Sequence, residues 1–434
     1  MEEYNKAREG VAGSAGLSAA GSAGLSAAGS AGASAAGSAG ASATASKGEK
    51  AAEVGVAASA PAAGVAAGAV DSASESALDD ANSLEYLLEY ATGKNATDLH
   101  IGVGIAPLIR VGSILEVIPG ASVVMPQIAN VHVKALVDDK RMEQLMTAGE
   151  IDFSFSRPGL GRFRANIYRQ RNTYGIAIRS LPFNIPPFET LGLPSVIKNF
   201  TKKNKGLILA TGATGSGKTT TLASLVNIVN SERSCHIITI EDPIEYLHRH
   251  NKSFVCQREI GSDTHSFSSA LRAALREDPD VIMVGEMRDA ETISIALTAA
   301  ETGHLVFSSL HTIGAAKTID RIIDVFPPNQ QTQVKSQLAT VLEGVVSQQM
   351  LPNKDNTGIC VACEVMIVNN AIRNLIREGK PHQINSIIQT STNIGMQTME
   401  SSLADLTLSG RITQDDAMLR ATDAQLLISL LNRR

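Results

Sequence analysis

The sequence predicts an α/β protein: a parallel sheet flanked by helices, preceded by a smaller α+β domain and a low-complexity tail. Three observations lead there. From about residue 200, apolar strand-like runs alternate with helical patterns, as in a buried parallel sheet. A glycine-rich loop joins one such strand to its helix. Between residues 82 and 183 the runs are instead short and alternating.

Residues 1–81 come first and carry little that could pack. Residues 12–43 are four octads, AGSAGLSA twice and then AGSAGASA twice, whose only sizeable apolar side chains are Leu17 and Leu25. Such a segment cannot bury enough surface to offset its ordering entropy, so 1–81 reads as a disordered tail. Val54–Val70 is uncharged but Ala/Gly-rich and interrupted by Pro61, too weakly apolar for a membrane span. Glu2, Glu3 and Glu9 against Lys6 and Arg8, with no leucine-rich segment behind them, make no secretory signal. Four cysteines, Cys235, Cys256, Cys360 and Cys363, are too few for a disulfide scaffold at this length and suit a reducing compartment. The expectation is a soluble cytoplasmic protein.

Residues 82–183 read as one α+β domain. Ser83 is placed to cap a helix through Leu84, Leu87 and Leu88. Short alternating runs follow, Asp98–Gly102 and Pro107–Val111 among them, with a helix expected near Met142–Ala148. The segment Gly161–Arg171 then leads to a turn at Asn172–Gly175 and a strand at Ile176–Arg179. Pro182, Pro186 and Pro187 punctuate the linker that follows.

Residues 184–434 form the second expected domain. Strands are expected at Gly206–Ala210, Ile237–Ile240, Val281–Val284 and Leu305–Ser309, separated by helices at Thr219–Asn230, Ser266–Arg276 and Ala290–Glu301. After about residue 328 the chain reads as mostly helical apart from Ile359–Val368.

The sharpest signal is the loop Gly212-Ala213-Thr214-Gly215-Ser216-Gly217-Lys218-Thr219, followed by Thr220. It fits G-x-x-x-x-G-K-[ST] in the required strand–loop–helix setting. Its glycines let backbone N–H groups turn towards phosphate oxygens, and the helix adds its positive end. Lys218 can reach the β/γ-phosphates, and the Thr219 hydroxyl can hold Mg²⁺. Glu286 closes the strand Val281–Val284, where strand ends face a ligand crevice. It can orient a water or help hold Mg²⁺ through water, or be a solvated glutamate. Glu241, Asp242 and Glu245 concentrate negative charge at another strand end, suited to water-mediated metal binding or simply a charged turn around Pro243. On the fourth strand His311 lies after the C-terminal end, nearer the crevice, and His304 at the start; each is also readable as an ordinary hydrogen-bonded histidine. The net charge of −5, the aromatic content of 4% and the absence of tryptophan argue against a nucleic-acid partner.

These boxes, in this order, resemble the secretion and pilus ATPases of the type II/type IV superfamily. The matching pieces are GATGSGKTTT, IITIEDPIEY (Ile237–Tyr246), REDPDVIMVGEMRD (Arg276–Asp289) and TGHLVFSSLHT (Thr302–Thr312). AIRNLIRE (Ala371–Glu378), GEMRD (Gly285–Asp289) and GMQTM (Gly395–Met399) resemble the pilus-retraction branch. The resemblance implies a RecA-like P-loop core with a PAS-like N-terminal domain, ATP and Mg²⁺ as ligands, and a homo-hexameric ring. It implies a catalytic glutamate at Glu286, an acidic box at Glu241, Asp242 and Glu245, and a γ-phosphate-sensing histidine at His311. It implies arginine fingers among Arg164, Arg169 and Arg179, with His304 and Arg321 as further nucleotide contacts. The implied function is pilus retraction, or alternatively pilus assembly or type II secretion. The implied setting is the pilus machinery and its platform protein, at the cytoplasmic face of the inner membrane. The repetitive tail lies outside the family pattern. Extension and secretion ATPases usually carry a four-cysteine zinc module, whereas this chain has one CxxC, at Cys360 and Cys363, which favours retraction over extension. In a strand, residues three apart point to opposite faces, so zinc is not expected there.

Overall fold

A computed structural model of the chain describes residues 80–182, 184–355 and 357–433. The octads and nearly all of the segment read as a tail lie outside the described residues; Asp80–Asn82 form a 3₁₀ turn. Among the described residues the chain builds two sheets, one antiparallel and one largely parallel.

The first sheet has six strands in the order β3-β2-β1-β6-β5-β4. They are β1 (Asp98–Gly102), β2 (Leu108–Val111), β3 (Ile114–Val117), β4 (Glu150–Arg157), β5 (Gly161–Gln170) and β6 (Thr173–Leu181). Helices α1 (Leu84–Gly93), α2 (Pro126–Leu136) and α3 (Asp139–Ala148) complete its core. Ser83 caps α1 as expected, its Oγ accepting from the Tyr86 N–H at 3.2 Å. Alternation along β5 buries Phe163, Ala165 and Ile167 against the helices. Arg162 and Arg164 therefore project from the opposite face, and this parity decides which arginines can approach the second sheet.

The second sheet has seven strands in the order β13-β12-β7-β11-β10-β8-β9. They are β7 (Gly206–Thr211), β8 (His236–Glu241), β9 (Phe254–Glu259), β10 (Val281–Val284), β11 (Leu305–Leu310), β12 (Leu342–Pro352) and β13 (Ile359–Ile367). Every pairing is parallel except the β12–β13 hairpin. Crossovers are made by α4 (Lys218–Glu232), α5 (Phe267–Ala274), α6 (Ala290–Glu301), α7 (Ala315–Asp324) and α8 (Pro328–Val341). The apolar runs of the central strands divide by parity between two cores. Leu207, Leu209, Ile238 and Ile240 pack on one side, and Ile208, Ala210 and Ile237 on the other. The chain continues through α9 (Asn370–Arg377), α10 (Ile384–Thr390), α11 (Met399–Leu408), α12 (Gln414–Arg420) and α13 (Ala424–Asn432).

One expectation needs correction. The stretch after residue 328 is not mostly helical up to Ile359, because β12 occupies eleven of its residues. Its sequence, LEGVVSQQMLP, mixes buried apolar groups with Ser347 and Gln348, which are also buried. The amides break the apolar run that marks a parallel strand. Gln348 is instead spent inside the core, donating to Thr221 Oγ1 on α4 at 2.9 Å.

Phe307 lies fully buried on β11 in the middle of the sheet. Phe307→Ala should cost about 3–5 kcal/mol through lost burial and the cavity left behind. Urea unfolding followed by circular dichroism checks this, and a loss below 1 kcal/mol would contradict the packing described.

Candidate active site

The C-terminal ends of β7, β8, β10 and β11 lie side by side, and the chain places a functional loop after each. After β7 come Gly212 (φ +142°), Gly215 (φ +77°) and Gly217 (φ +87°), backbone conformations that favour glycine. Space matters as well. A Cβ at Gly212 would press on the Gln348 carbonyl oxygen, and one at Gly217 would sit 2.6 Å from Met350 Cε. Strand β12 thus backs the loop and limits its side chains. The loop curls so that Lys218 Nζ donates to the carbonyls of Gly212 and Ala213, both at 3.0 Å.

Lys218 is 7% exposed. Burial pushes its pKa below the usual lysine value, against the opposing pull of Glu286 and Glu245. Glu245 is raised by burial, and the Thr219 hydroxyl, Arg164 and Lys218 draw it back. Asp242 is likewise raised by burial and lowered by Arg164 and Arg288. Glu241 is the extreme case. Burial lifts its carboxyl to about 7, although Thr239 Oγ1 donates to Oε1 at 2.7 Å and Gln257 Nε2 at 3.1 Å. Across the cleft Glu286 pairs with Arg288, and His311 Nε2 lies 3.3 Å from Glu286 Oε2. The other imidazole nitrogen is 3.5 Å from Thr214 Oγ1, so His311 spans from the glycine-rich loop to Glu286.

Of the residues singled out in the sequence, Thr214, Gly215, Lys218, Thr219, Glu241, Asp242, Glu245, Glu286 and His311 all line this cleft. Gly212, Ala213, Ser216 and Gly217 form the loop behind it, and Thr220 Oγ1 lies 3.0 Å from the Tyr246 hydroxyl. The other candidates separate. His304 stands at the opposite end of the six-residue β11, on the order of 20 Å away. Its Nδ1 is engaged with the Ala299 carbonyl at 2.9 Å. Arg321 is exposed on α7 and Arg169 on β5, and neither lines the cleft. Arg179 pairs with Asp98 at 2.9 Å. Arg164 is held by Asp152, Nε to Oδ1 at 3.0 Å, and its charge acts on both Asp242 and Glu245. Cys360 and Cys363 are buried free thiols on β13, and burial pushes the Cys363 thiol up to about 12.

Three further residues that contact the site's carboxylates or the acidic loop are not among those singled out in the sequence. Arg288 stands in GEMRD, two residues after Glu286, and was not singled out. Gln257 sits on an edge strand whose sequence, FVCQRE, ends in polar residues like a loop. Arg162 was readable by parity, since it shares a β5 face with Arg164 whereas Arg169 does not.

The donor set fits a nucleoside triphosphate with Mg²⁺. A buried lysine and a helix N-terminus oppose the phosphates, and one protein hydroxyl, with phosphate and water oxygens, is the pattern Mg²⁺ favours. Within the same loop Ser216 Oγ is buried without a hydrogen-bond partner. A glycine-rich loop and carboxylate-tipped parallel strands on a RecA-like core define a P-loop ATPase. The family described as Type II/IV secretion system protein matches residues 187–415. The type IV pilus retraction ATPase PilT of Pseudomonas aeruginosa is 46% identical over 339 residues, covering 77% of this chain and 97% of that protein. A twitching motility protein of Neisseria gonorrhoeae is 45% identical over 319 residues, covering 74% of this chain and 85% of the relative. A crystal structure of the pilus retraction motor PilT with bound ADP superposes with a TM-score of 0.76 at 46% identity, covering 80% of this chain and 99% of that one. The chain belongs to the type II/IV secretion system protein family and, within it, to the PilT-type secretion ATPases.

The Glu241 environment has a measurable consequence. Its folded pKa of about 7 stands above the ordinary 4.5, so the folded state holds the proton longer. Stability should therefore fall as pH rises from about 4.5 to 7, by on the order of 3 kcal/mol, and level off above. Glu241→Gln should remove that slope. Urea midpoints between pH 5 and 8 read the difference, and parallel slopes in the two proteins would contradict it.

Proposed function

We propose that this chain is the hydrolysing subunit of a homo-hexameric motor that retracts type IV pili. The observation that supports this best is the convergence of four separate strand ends on one buried lysine, in a chain 46% identical to a pilus retraction ATPase across both sheets. Lys218 and the backbone of residues 212–219 bind and orient the triphosphate. Glu286 takes the role of general base for the attacking water, with His311 and Arg288 fixing its carboxylate. Thr219, faced by Glu245, and Glu286 through water are the residues that would hold Mg²⁺, which supplies charge neutralisation at the phosphate oxygens. An arginine completes charge stabilisation at the γ-phosphoryl group, and Arg164 is the best supported by its field at the acidic loop. Coupling of hydrolysis to the placement of such an arginine links chemistry to subunit movement. The partners in this reading are five further copies of the chain and a platform protein of the pilus machinery at the inner membrane. Among the described residues no helix is long and apolar enough to cross a membrane. Peripheral attachment at the cytoplasmic face follows from that partner.

Two variants separate binding from chemistry. Lys218→Ala should lose most nucleotide affinity. Glu286→Gln should keep it while kcat falls by about 10²–10⁴. Fluorescent-nucleotide titration and phosphate release measure the two, and normal turnover by Glu286→Gln would remove its assigned role. In a cell that makes pili, deletion of the gene should leave surface fibres in place without retraction. Loss of the fibres themselves would point to assembly instead.

A further inference from the structure

Outside the cleft, a buried charge cluster joins the first sheet to the second. Arg162 on β5 forms an ion pair with Glu259, the last residue of β9; their side chains are 15% and 5% exposed. Ser154 on β4 donates from Oγ to Glu259 Oε1 at 2.5 Å, and Arg162 Nη2 donates to the same Ser154 Oγ at 2.5 Å. Ser262 Oγ lies 3.5 Å from Glu259 Oε1, and Asp263 accepts the Glu259 backbone N–H at 2.8 Å.

This pair grips one residue of the acidic loop from both sides. Arg162 Nε donates to the Ile244 carbonyl at 2.9 Å, and Glu259 Oε2 accepts the Ile244 N–H at 3.0 Å. Ile244 is 5% exposed and directly precedes Glu245, whose carboxylate meets the Thr219 hydroxyl. Strand alternation puts Gln257 on the same β9 face as Glu259. Gln257 holds the loop a second time, through Glu241 Oε1 at 3.1 Å and the Tyr246 carbonyl at 2.9 Å. Edge strand β9 thus fixes the acidic loop, and one of its two clamps requires an arginine supplied by the other sheet.

We propose that Arg162 and Glu259 are positioning residues: their ion pair sets the Ile244 peptide and, through it, holds Glu245 opposite Thr219, so that metal capture depends on seating of the first sheet. The assignment rests on the ATPase reading above and adds to it a device within one chain. A charged pair buried only for cohesion would not need both backbone groups of a single loop residue. Packing and a satisfied Glu259 would serve as well without touching Ile244. The arrangement instead resembles the outer supports that orient metal-binding groups, whose loss lowers metal affinity while the ligands stay intact.

The test uses the full chain and the double variant Arg162→Met/Glu259→Gln, which removes both charges together. Three readouts are taken: ADP affinity without metal, Mn²⁺ affinity of the ADP complex by electron paramagnetic resonance, and amide exchange across residues 241–247 by mass spectrometry. The expected result is unchanged metal-free ADP affinity, Mn²⁺ affinity lower by about 10–100-fold, and faster exchange at Ile244 and Glu245. Arg162→Lys keeps the charge facing Glu259 and gives up the second arm. It should shift Mn²⁺ affinity in the same direction by less, at an unchanged melting temperature, and it carries the test if the double variant does not fold. Wild-type Mn²⁺ affinity in these variants overturns the proposal. So does a parallel loss of metal-free ADP affinity, which would mean general collapse of the site. Failure of the wild type itself to bind ADP or hydrolyse ATP would instead overturn the ATPase reading.

Discussion

The Lys218 ammonium is buried at the first turn of α4, and burying a positive charge is costly unless something replaces its water. Two loop carbonyls and the fields of Glu245 and Glu286 do so here. That compensation requires a loop that doubles back on itself, which requires positive φ at Gly215 and Gly217 and no side chain at Gly212. It also requires the parallel sheet to bring β8 and β10 beside β7, since the carboxylates arrive from those strand ends. The cleft is therefore a balance of unlike charges held away from water, poised for a ligand that brings negative charge of its own.

Carboxylates crowd one side of this balance. Glu241, Asp242 and Glu245 are all raised by burial, and each is relieved by a cation or donor from another element. Arg164 and Arg162 come from the antiparallel sheet, Arg288 from beyond β10 and Gln257 from β9. The first sheet is thereby more than a neighbour. Its polar face, set by the parity of β5, brings cations up to the acidic loop that flanks a cleft built by the second sheet. Any change in how the two sheets meet alters the charge balance around the phosphate site.

Much of this was legible in the sequence, for physical reasons. Central strands buried on both faces must be continuous apolar runs, so β7, β8, β10 and β11 were readable. A phosphate loop allows few alternatives in residue type, so residues 212–219 were readable too. Strand β12 was not, because buried Ser347 and Gln348 interrupt its run, and β9 was not, because an edge strand carries polar residues. His304 and Arg321 were placed near the nucleotide by resemblance to a family; neither lines the cleft, His304 because it precedes the first residue of β11 and so sits at the far strand end, Arg321 because it is exposed on the last turn of α7. Arg162 and Gln257 act through partners distant in sequence, and no local pattern announces such partners.

The central claim is that the triphosphate displaces the loop carbonyls as partner of Lys218. A crystal structure with Mg²⁺ and a non-hydrolysable ATP analogue tests it most directly. The account predicts the β- and γ-phosphate oxygens on Lys218 Nζ, the Thr219 hydroxyl beside the metal, and Glu286 facing the γ-phosphoryl group. An analogue bound elsewhere, with Lys218 still on the carbonyls of Gly212 and Ala213, would contradict it.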